Sequence, residues 1–330
     1  LRRLGFDYIC DTTFSADITI REEATEFLSR LPELRTEHKT MFTSCCPGWV
    51  RFIKSEYPDM VTQLSTAKSP QQMFGAVVKS YYAKVLGVDP DKIFSVSIMP
   101  CLAKKHEADI PVINDAGHGK DVDCVLTTRE FVRMIRADRI MVRDIQEEQF
   151  DLPLGVGTGA GLIFGATGGV MEAALRTAYF MVTGKNPEPD SFKTLRGQEP
   201  WRSGQFNIAG TNLRIAVVSG LGNARHLLEK LRRKEVSYDF VEIMACPGGC
   251  VGGGGQPIHD GEELACERGE VLYKLDSNNP LRFSHENPAV NQMYEEYLDP
   301  ERAHKLLHTD PTQWDLPLNP NCYSRSGHFE

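Results

Sequence analysis

Apolar residues recur along this chain in two rhythms. Short unbroken apolar runs read as buried strands at residues 6–10, 93–99, 124–126, 215–219 and 240–244. Apolar positions three and four apart mark helices. One is expected from a cap at Asp17 or Thr19 to about Arg30, and others over 47–57, 70–86, 128–137, 169–183 and 223–233. Ser69 followed by Pro70 pairs a capping hydroxyl with Pro at the first helical position. Residues 11–17, 87–91, 109–123 and 184–206 read as loop. Shorter helices are expected at 271–276, 288–298 and 302–308. Strands alternating with helices indicate an α/β fold with an open sheet.

Composition narrows the function classes. The 330 residues carry a net charge of −8, with a sequence pI near 5.7. That balance offers no basic footprint for nucleic acid. No run of 18 apolar residues occurs, so no membrane span is expected. Nine cysteines in so long a chain, several beside Pro or Gly, do not read as a disulfide framework. They imply a reducing, cytoplasmic setting. Residues 1–5 read as the last turn of a helix with a Gly cap. The chain is therefore expected to begin inside a fold, and export stays open.

Three loops carry the chemistry. Met244-Ala245-Cys246-Pro247-Gly248-Gly249-Cys250-Val251 leads into Gly252–Gly255. Pro restricts φ, and paired Gly lets backbone approach a bulky object closely. Thr43-Ser44-Cys45-Cys46-Pro47-Gly48-Trp49 and Met99-Pro100-Cys101-Leu102-Ala103-Lys104 again join Cys to Pro. Cys46, Cys101, Cys246 and Cys250 thus offer four thiolates from dispersed loops, with Cys45 as an extra thiol. Such a set suits a 4Fe–4S cluster or a structural zinc. Zinc sites usually draw on two Cys-x2-Cys pairs, which this chain lacks, so iron–sulfur is favoured. Other residues read plainly. Glu23 and Glu26 share a helix face and suit a solvated N-terminal turn. Lys104 and Glu107 suit a surface charge pair. Ser65 suits a loop or cap, and Met99 and Met244 suit gap filling. Cys124 suits a core position. Cys10, Cys266 and Cys322 are lone thiols. The stretch 155–161 resembles a nucleotide loop only weakly, because no strand runs into it and no Lys-Ser/Thr follows.

Taken together, these motifs resemble the signature of iron–iron hydrogenases, in the domain that carries the H-cluster. The resemblance covers about Leu4 to Thr309. It implies two lobes, each a small twisted mainly parallel sheet flanked by helices, with the cluster in the cleft between them. Those lobes would be roughly 41–160 and 1–40 plus 161–309, followed by a tail, 310–330, of unassigned role. It implies a 4Fe–4S cube on Cys46, Cys101, Cys246 and Cys250, with Cys250 bridging to a 2Fe subcluster carrying CO, cyanide and azadithiolate. Cys45, Glu23, Ser65 and Glu26 would form a proton path, and Lys104, supported by Glu107, would meet a cyanide. Pro70, Gln71, Met99, Phe164 and Met244 would line the diiron pocket, and the Gly-rich stretch from 155 to 169 would pack close by. Family chains also carry a strand upstream of Leu1.

No Cys-x2-Cys-x2-Cys run is present, so electrons are expected from a ferredoxin-like carrier or a partner redox subunit, and the diiron unit from maturation proteins. Two alternatives are a cytosolic iron–sulfur assembly relative and a sensory module. The former resembles the chain around the four ligands, but lacks the extra thiol and the Glu relay.

Overall fold

The computed structural model describes residues 1–314. Cys322 and most of the 310–330 tail lie outside them. In chain order the helices and strands are α1 (Thr12–Glu37), β1 (Met41–Phe42), α2 (Pro47–Glu56), α3 (Pro70–Val77), α4 (Ala83–Leu86), β2 (Val96–Met99), α5 (Ala103–Ala108), β3 (Cys124–Thr127), α6 (Thr128–Ala137), α7 (Gly159–Ile163), α8 (Gly169–Thr183), β4 (Trp201–Ile208), β5 (Thr211–Ser219), α9 (Leu221–Arg232), β6 (Phe240–Met244), α10 (Ala265–Asn278), α11 (Pro288–Glu296) and α12 (Pro300–Leu307).

Four strands form the larger sheet, in the order β1-β6-β5-β4. β1, β6 and β5 run parallel, and β4 is antiparallel to β5. Helices cover both faces. Successive side chains of a strand point to opposite sides, and the core divides accordingly. Met41, Ile215, Val217, Phe240 and Met244 pack against Phe27 and Leu31 of α1 and Met171 of α8. Phe42, Ala216, Val218, Val241 and Ile243 pack against Trp49 and Ile53 of α2 and Leu227 of α9. This double burial explains why β6 is apolar at four of its five positions. The second sheet is the parallel pair β2 and β3. Met41 and Phe42, grouped by sequence with the first lobe, pair with Phe240 and Val241 of the larger sheet.

Several expected boundaries are corrected. Residues 6–10 form no strand. They run beside residues 151–154, tied by Asp151 N–H to Ile9 O at 2.7 Å and Asp11 N–H to Leu154 O at 3.1 Å. Helix α1 starts earlier than expected. Asp11 is its cap, accepting from Thr13 N–H at 3.0 Å, and Asp17 and Thr19 lie inside it. It also continues through Pro32 to Glu37. The expected helix over 70–86 is broken by a π turn at Val78–Tyr82, while Ser69 caps its start as expected. The loop-rich stretch 184–206 already contains most of β4, which forms a hairpin with β5. Its turn uses Ala209 (φ 49°) and Gly210 (φ 86°) in the left-handed region. The expected short helix at 271–276 is part of the longer α10.

Candidate metal-cluster and proton-transfer site

Each candidate ligand follows a strand end. Cys46 lies beyond β1 and is the N-cap residue of α2, with Pro47 at the first helical position. Its sulfur accepts the Ala245 N–H at 3.4 Å. Cys101 lies between β2 and α5. Cys246 and Cys250 sit on the loop after β6. The ligand loops are sewn together by backbone: Gly255 N–H to Pro100 O at 2.9 Å, Thr167 N–H to Gly248 O at 3.0 Å, and Val251 N–H to Gly165 O at 2.9 Å. A Cβ on Gly253 would stand 2.1 Å from Pro100 O, and one on Gly249, where φ is +93°, would stand 2.6 Å from Thr167 N. Only Gly permits these approaches.

The structure brings the four thiols together. The Cys250 thiol senses Cys46, Cys101 and Cys246, and Cys101 faces both Cys46 and Cys246. Burial pushes the Cys46 thiol up to about 11 and raises Cys246 and Cys250 as well. All eight cysteines among the described residues are free. No group of three or more His, Cys, Asp or Glu among the described residues could hold a single metal ion. Four mutually facing thiols are the donor set that a 4Fe–4S cluster takes.

Cys45 faces Glu23 as well as Cys46 and Cys250. It is buried, and its thiol lies well above the ordinary range because of that burial, then because of Glu23 and Cys46. Glu23 is fully buried, and neither carboxyl oxygen has a hydrogen-bond partner. Burial, then the neighbouring Glu26, raises it to about 8; the Ser65 hydroxyl and Ser44 N–H face it and ease its charge. Ser65 Oγ donates to Glu26 Oε2 at 2.7 Å. Thr66 N–H donates to both Glu26 oxygens, at 2.9 and 3.1 Å. The solvated-face reading therefore does not describe Glu23.

Lys104 and Glu107 are likewise buried and do not form a surface pair. Lys104 Nζ donates to Glu107 Oε2 at 2.7 Å and to Cys45 O at 3.1 Å. Burial opposes its charge, but Glu107, Cys101 and Cys45 outweigh it and hold the ammonium above its usual value. Glu107 Oε2 also accepts from Ser69 Oγ at 3.0 Å, while its Oε1 is unpartnered. Gln71 Nε2 donates to Lys104 O at 3.1 Å, and Ser97 Oγ donates to Gln71 Oε1 at 3.0 Å. Pro70 and Gln71 are buried at the start of α3. Met244 belongs to the same core cluster as Cys45, with Cys46 and Phe164 packed against it. Met99 packs beside Ala108, Val122 and Val125. The Gly-rich stretch divides. Gly157 and Gly161 pack on Thr13 and Gly159 on Asp276, whereas Gly165 and Thr167 meet the Cys246–Cys250 loop.

Sequence reasoning missed three residues here. Arg30 donates to Glu26 Oε1 at 2.8 Å and to Leu64 O and Thr62 O, both at 2.9 Å. Its spacing of four from Glu26 was the available signal. Glu242 is buried in β6, accepts from Gly168 and Met171 N–H, and is lifted to about 7 by burial. His308 lies beside Thr66, a contact that no local pattern announces.

Four facing, half-buried thiols beyond the strand ends of an α/β fold form a candidate metal-cluster centre. Residues 1–254 match the family described as iron only hydrogenase large subunit, C-terminal domain, and residues 262–313 match iron hydrogenase small subunit. The chain is 49% identical to the HndD subunit of the NADP-reducing hydrogenase of Solidesulfovibrio fructosivorans, over 94% of this chain and 54% of that one. It is similar to the structure of an apo FeFe-hydrogenase from Chlamydomonas reinhardtii, with TM-score 0.81 and 42% identity, covering 94% of this chain and 85% of that one. It is also 32% identical to cytosolic iron-sulfur assembly component 3 of Mus musculus, over 93% of this chain and 67% of that one. The chain belongs to the iron-only hydrogenase family. It spans about half the length of the bacterial hydrogenase relatives it matches.

Proposed function

We propose that this chain is the catalytic portion of an iron–iron hydrogenase, interconverting H2 with protons and electrons. The observation that carries the reading is Cys45, a buried thiol that faces Glu23 as well as Cys46 and Cys250. Cys46, Cys101, Cys246 and Cys250 would hold an H-cluster made of a 4Fe–4S cube and a 2Fe subcluster with CO, cyanide and azadithiolate. That H-cluster would supply the redox chemistry and the hydrogen-binding site. The donor chemistry fits: four half-buried sulfurs, backbone N–H groups of Ala245 and Gly254 directed at Cys46 and Cys246, and glycines that let the loops approach closely.

The chain's own residues then position and move protons. Cys45 stays a protonated thiol at neutral pH, so its Sγ holds a proton ready to hand on. Glu23 exchanges protons near neutrality and reloads Cys45. The Ser65 hydroxyl links Glu23 to Glu26, and Glu26 reaches the protein edge beside Arg30. Lys104, gripped by Glu107, presents a fixed ammonium toward the pocket lined by Pro70, Gln71, Met99, Phe164 and Met244. Electrons would come from a ferredoxin-like carrier or a partner redox subunit. Maturation proteins would deliver the diiron unit. No helix among the described residues is long and apolar enough to cross a membrane, and we place the protein in a reducing compartment.

The test is H2 evolution by the anaerobically matured chain with a chemical reductant, alongside iron content and infrared bands of CO and cyanide. Cys45→Ala should keep its iron and lose at least about a hundredfold in rate, as when a general acid is removed. Cys46→Ala should lose the cube, whereas Cys124→Ala should not. A chain that binds four irons but shows neither diatomic bands nor H2 would instead act as an assembly relative.

A further inference from the structure

We propose that His308 is a positioning residue for the outer end of the proton path, acting through Thr66 on Glu26. The inference rests on the hydrogenase reading above. It comes from the part of the chain that matches the small-subunit family, residues 262–313.

His308 ends α12 and lies against the Ser65–Lys68 loop. Backbone pairs join the two: Lys68 N–H to Leu307 O and Thr309 N–H to Thr66 O, each at 2.8 Å. The imidazole adds a second attachment. Its Nε2 lies 2.8 Å from Glu22 Oε2, and its Nδ1 lies 2.8 Å from Thr66 Oγ1. An ionised carboxylate only accepts, so Nε2 carries a proton. In the neutral ring Nδ1 then accepts the Thr66 hydroxyl proton. Glu22 is itself fixed by the Tyr294 hydroxyl, and the Arg21 guanidinium lies 3.8 Å from the centre of the Tyr294 ring. A partly buried row, Tyr294–Glu22–His308–Thr66, therefore stands behind one peptide unit.

That unit holds the exit carboxylate. Thr66 N–H donates to both oxygens of Glu26, and the neighbouring Ser65 hydroxyl donates to one of them. Arg30 holds Glu26 from the other side. A shift of Thr66 would turn the Glu26 carboxyl away from Ser65, and proton transfer falls steeply when a hydrogen bond lengthens. His308 does not touch the Glu26 oxygens, so it acts by placement.

Two near-isosteric variants separate its two contacts. Asn at position 308 places an amide at the level of Nδ1 and keeps the Thr66 bond. Gln reaches the level of Nε2 and keeps Glu22. At unchanged iron content, His308→Gln should slow H2 evolution about fivefold to tenfold, the scale of one lost hydrogen bond. His308→Asn should stay within about twofold of wild type. In a Glu26→Ala background His308→Gln should cost nothing further, because the residue it acts through is gone. Hydrogen–deuterium exchange of the peptide containing Thr66 and Ala67, read by mass spectrometry on the holoenzyme, should quicken in His308→Gln and not in His308→Asn. Equal rates and equal exchange in both variants would overturn the proposal, as would a full additional loss on Glu26→Ala. If the iron-loaded wild type makes no H2, the hydrogenase reading fails, and exchange alone decides whether the ring holds the loop.

Discussion

Glu23 sets stability against function, and replacing it should separate the two. Its carboxyl is fully buried, unpartnered, and lifted from 4.5 to about 8 mainly by burial. An acid whose folded pKa is raised keeps its proton when the unfolded chain has given it up. Folding stability is therefore lost as pH rises from 4.5 towards 8, and levels off above that. At about 1.4 kcal/mol per pH unit the full penalty is on the order of 5 kcal/mol. About 2 kcal/mol of it is present at pH 6 and nearly all at pH 9. Glu23→Met keeps a long side chain and removes the titration. It should stabilise the chain relative to wild type, and by about 3 kcal/mol more at pH 9 than at pH 6. The same change should reduce H2 evolution at least about a hundredfold. Denaturant unfolding of both proteins at the two pH values measures the first effect. A stability difference that does not change with pH would refute the buried-acid argument, even if activity fell.

Three further perturbations test other parts of the molecule. Arg176 is fully buried and binds Asp276 at 2.9 and 3.1 Å and Glu172 at 2.7 Å. Arg176→Met strands those carboxylates and should lower denaturant stability by about 3 kcal/mol, near the bottom of the range for such losses because Arg196 and Arg282 remain. His285 is stacked on Phe180, donates through Nε2 to Asn186 Oδ1, and is lowered to about 4 by burial, then by Arg21. A base with a depressed folded pKa loses stability as pH falls from 6.5 to 4. After solvent screening the slope amounts to about 1–2 kcal/mol, and His285→Gln should flatten it in pH-dependent unfolding. Gly253→Ala should push the cysteine loops apart and lower iron per chain, whereas Gly222→Ala, with nothing within 4 Å of the added Cβ, should leave iron content intact.

Sequence pattern located the elements whose burial is regular. Gly169–Thr183 and Phe240–Met244 have the ends expected of them, because apolar residues fill them and Gly residues flank the helix. The start of α1 was hidden because its first turns bury polar groups. Ser15, Asp17 and Thr19 look like loop or cap residues, yet each is buried. Asp17 is satisfied from far along the chain, by Thr158, Ser284 and Asn287. Strand β4 was hidden because Ser203, Gly204 and Gln205 interrupt its alternation, and only the Ala209-Gly210 turn reveals the hairpin. The four candidate ligand thiols were legible in the three loops that join Cys to Pro. The burial of Glu23 was not, since i, i+3 acids on a helix normally face water.

The contacts of residues 276–308 tie the end of the described chain to the rest by more than the peptide bond. Asp276 is locked to Arg176, Ser284 and Asn287 to Asp17, and His308 to Glu22, all across the junction at residues 255–261. A protease cut there would leave two polypeptides clasped by these internal charges and amides. A gene split at the same place could deliver the two pieces separately and still yield one assembled body.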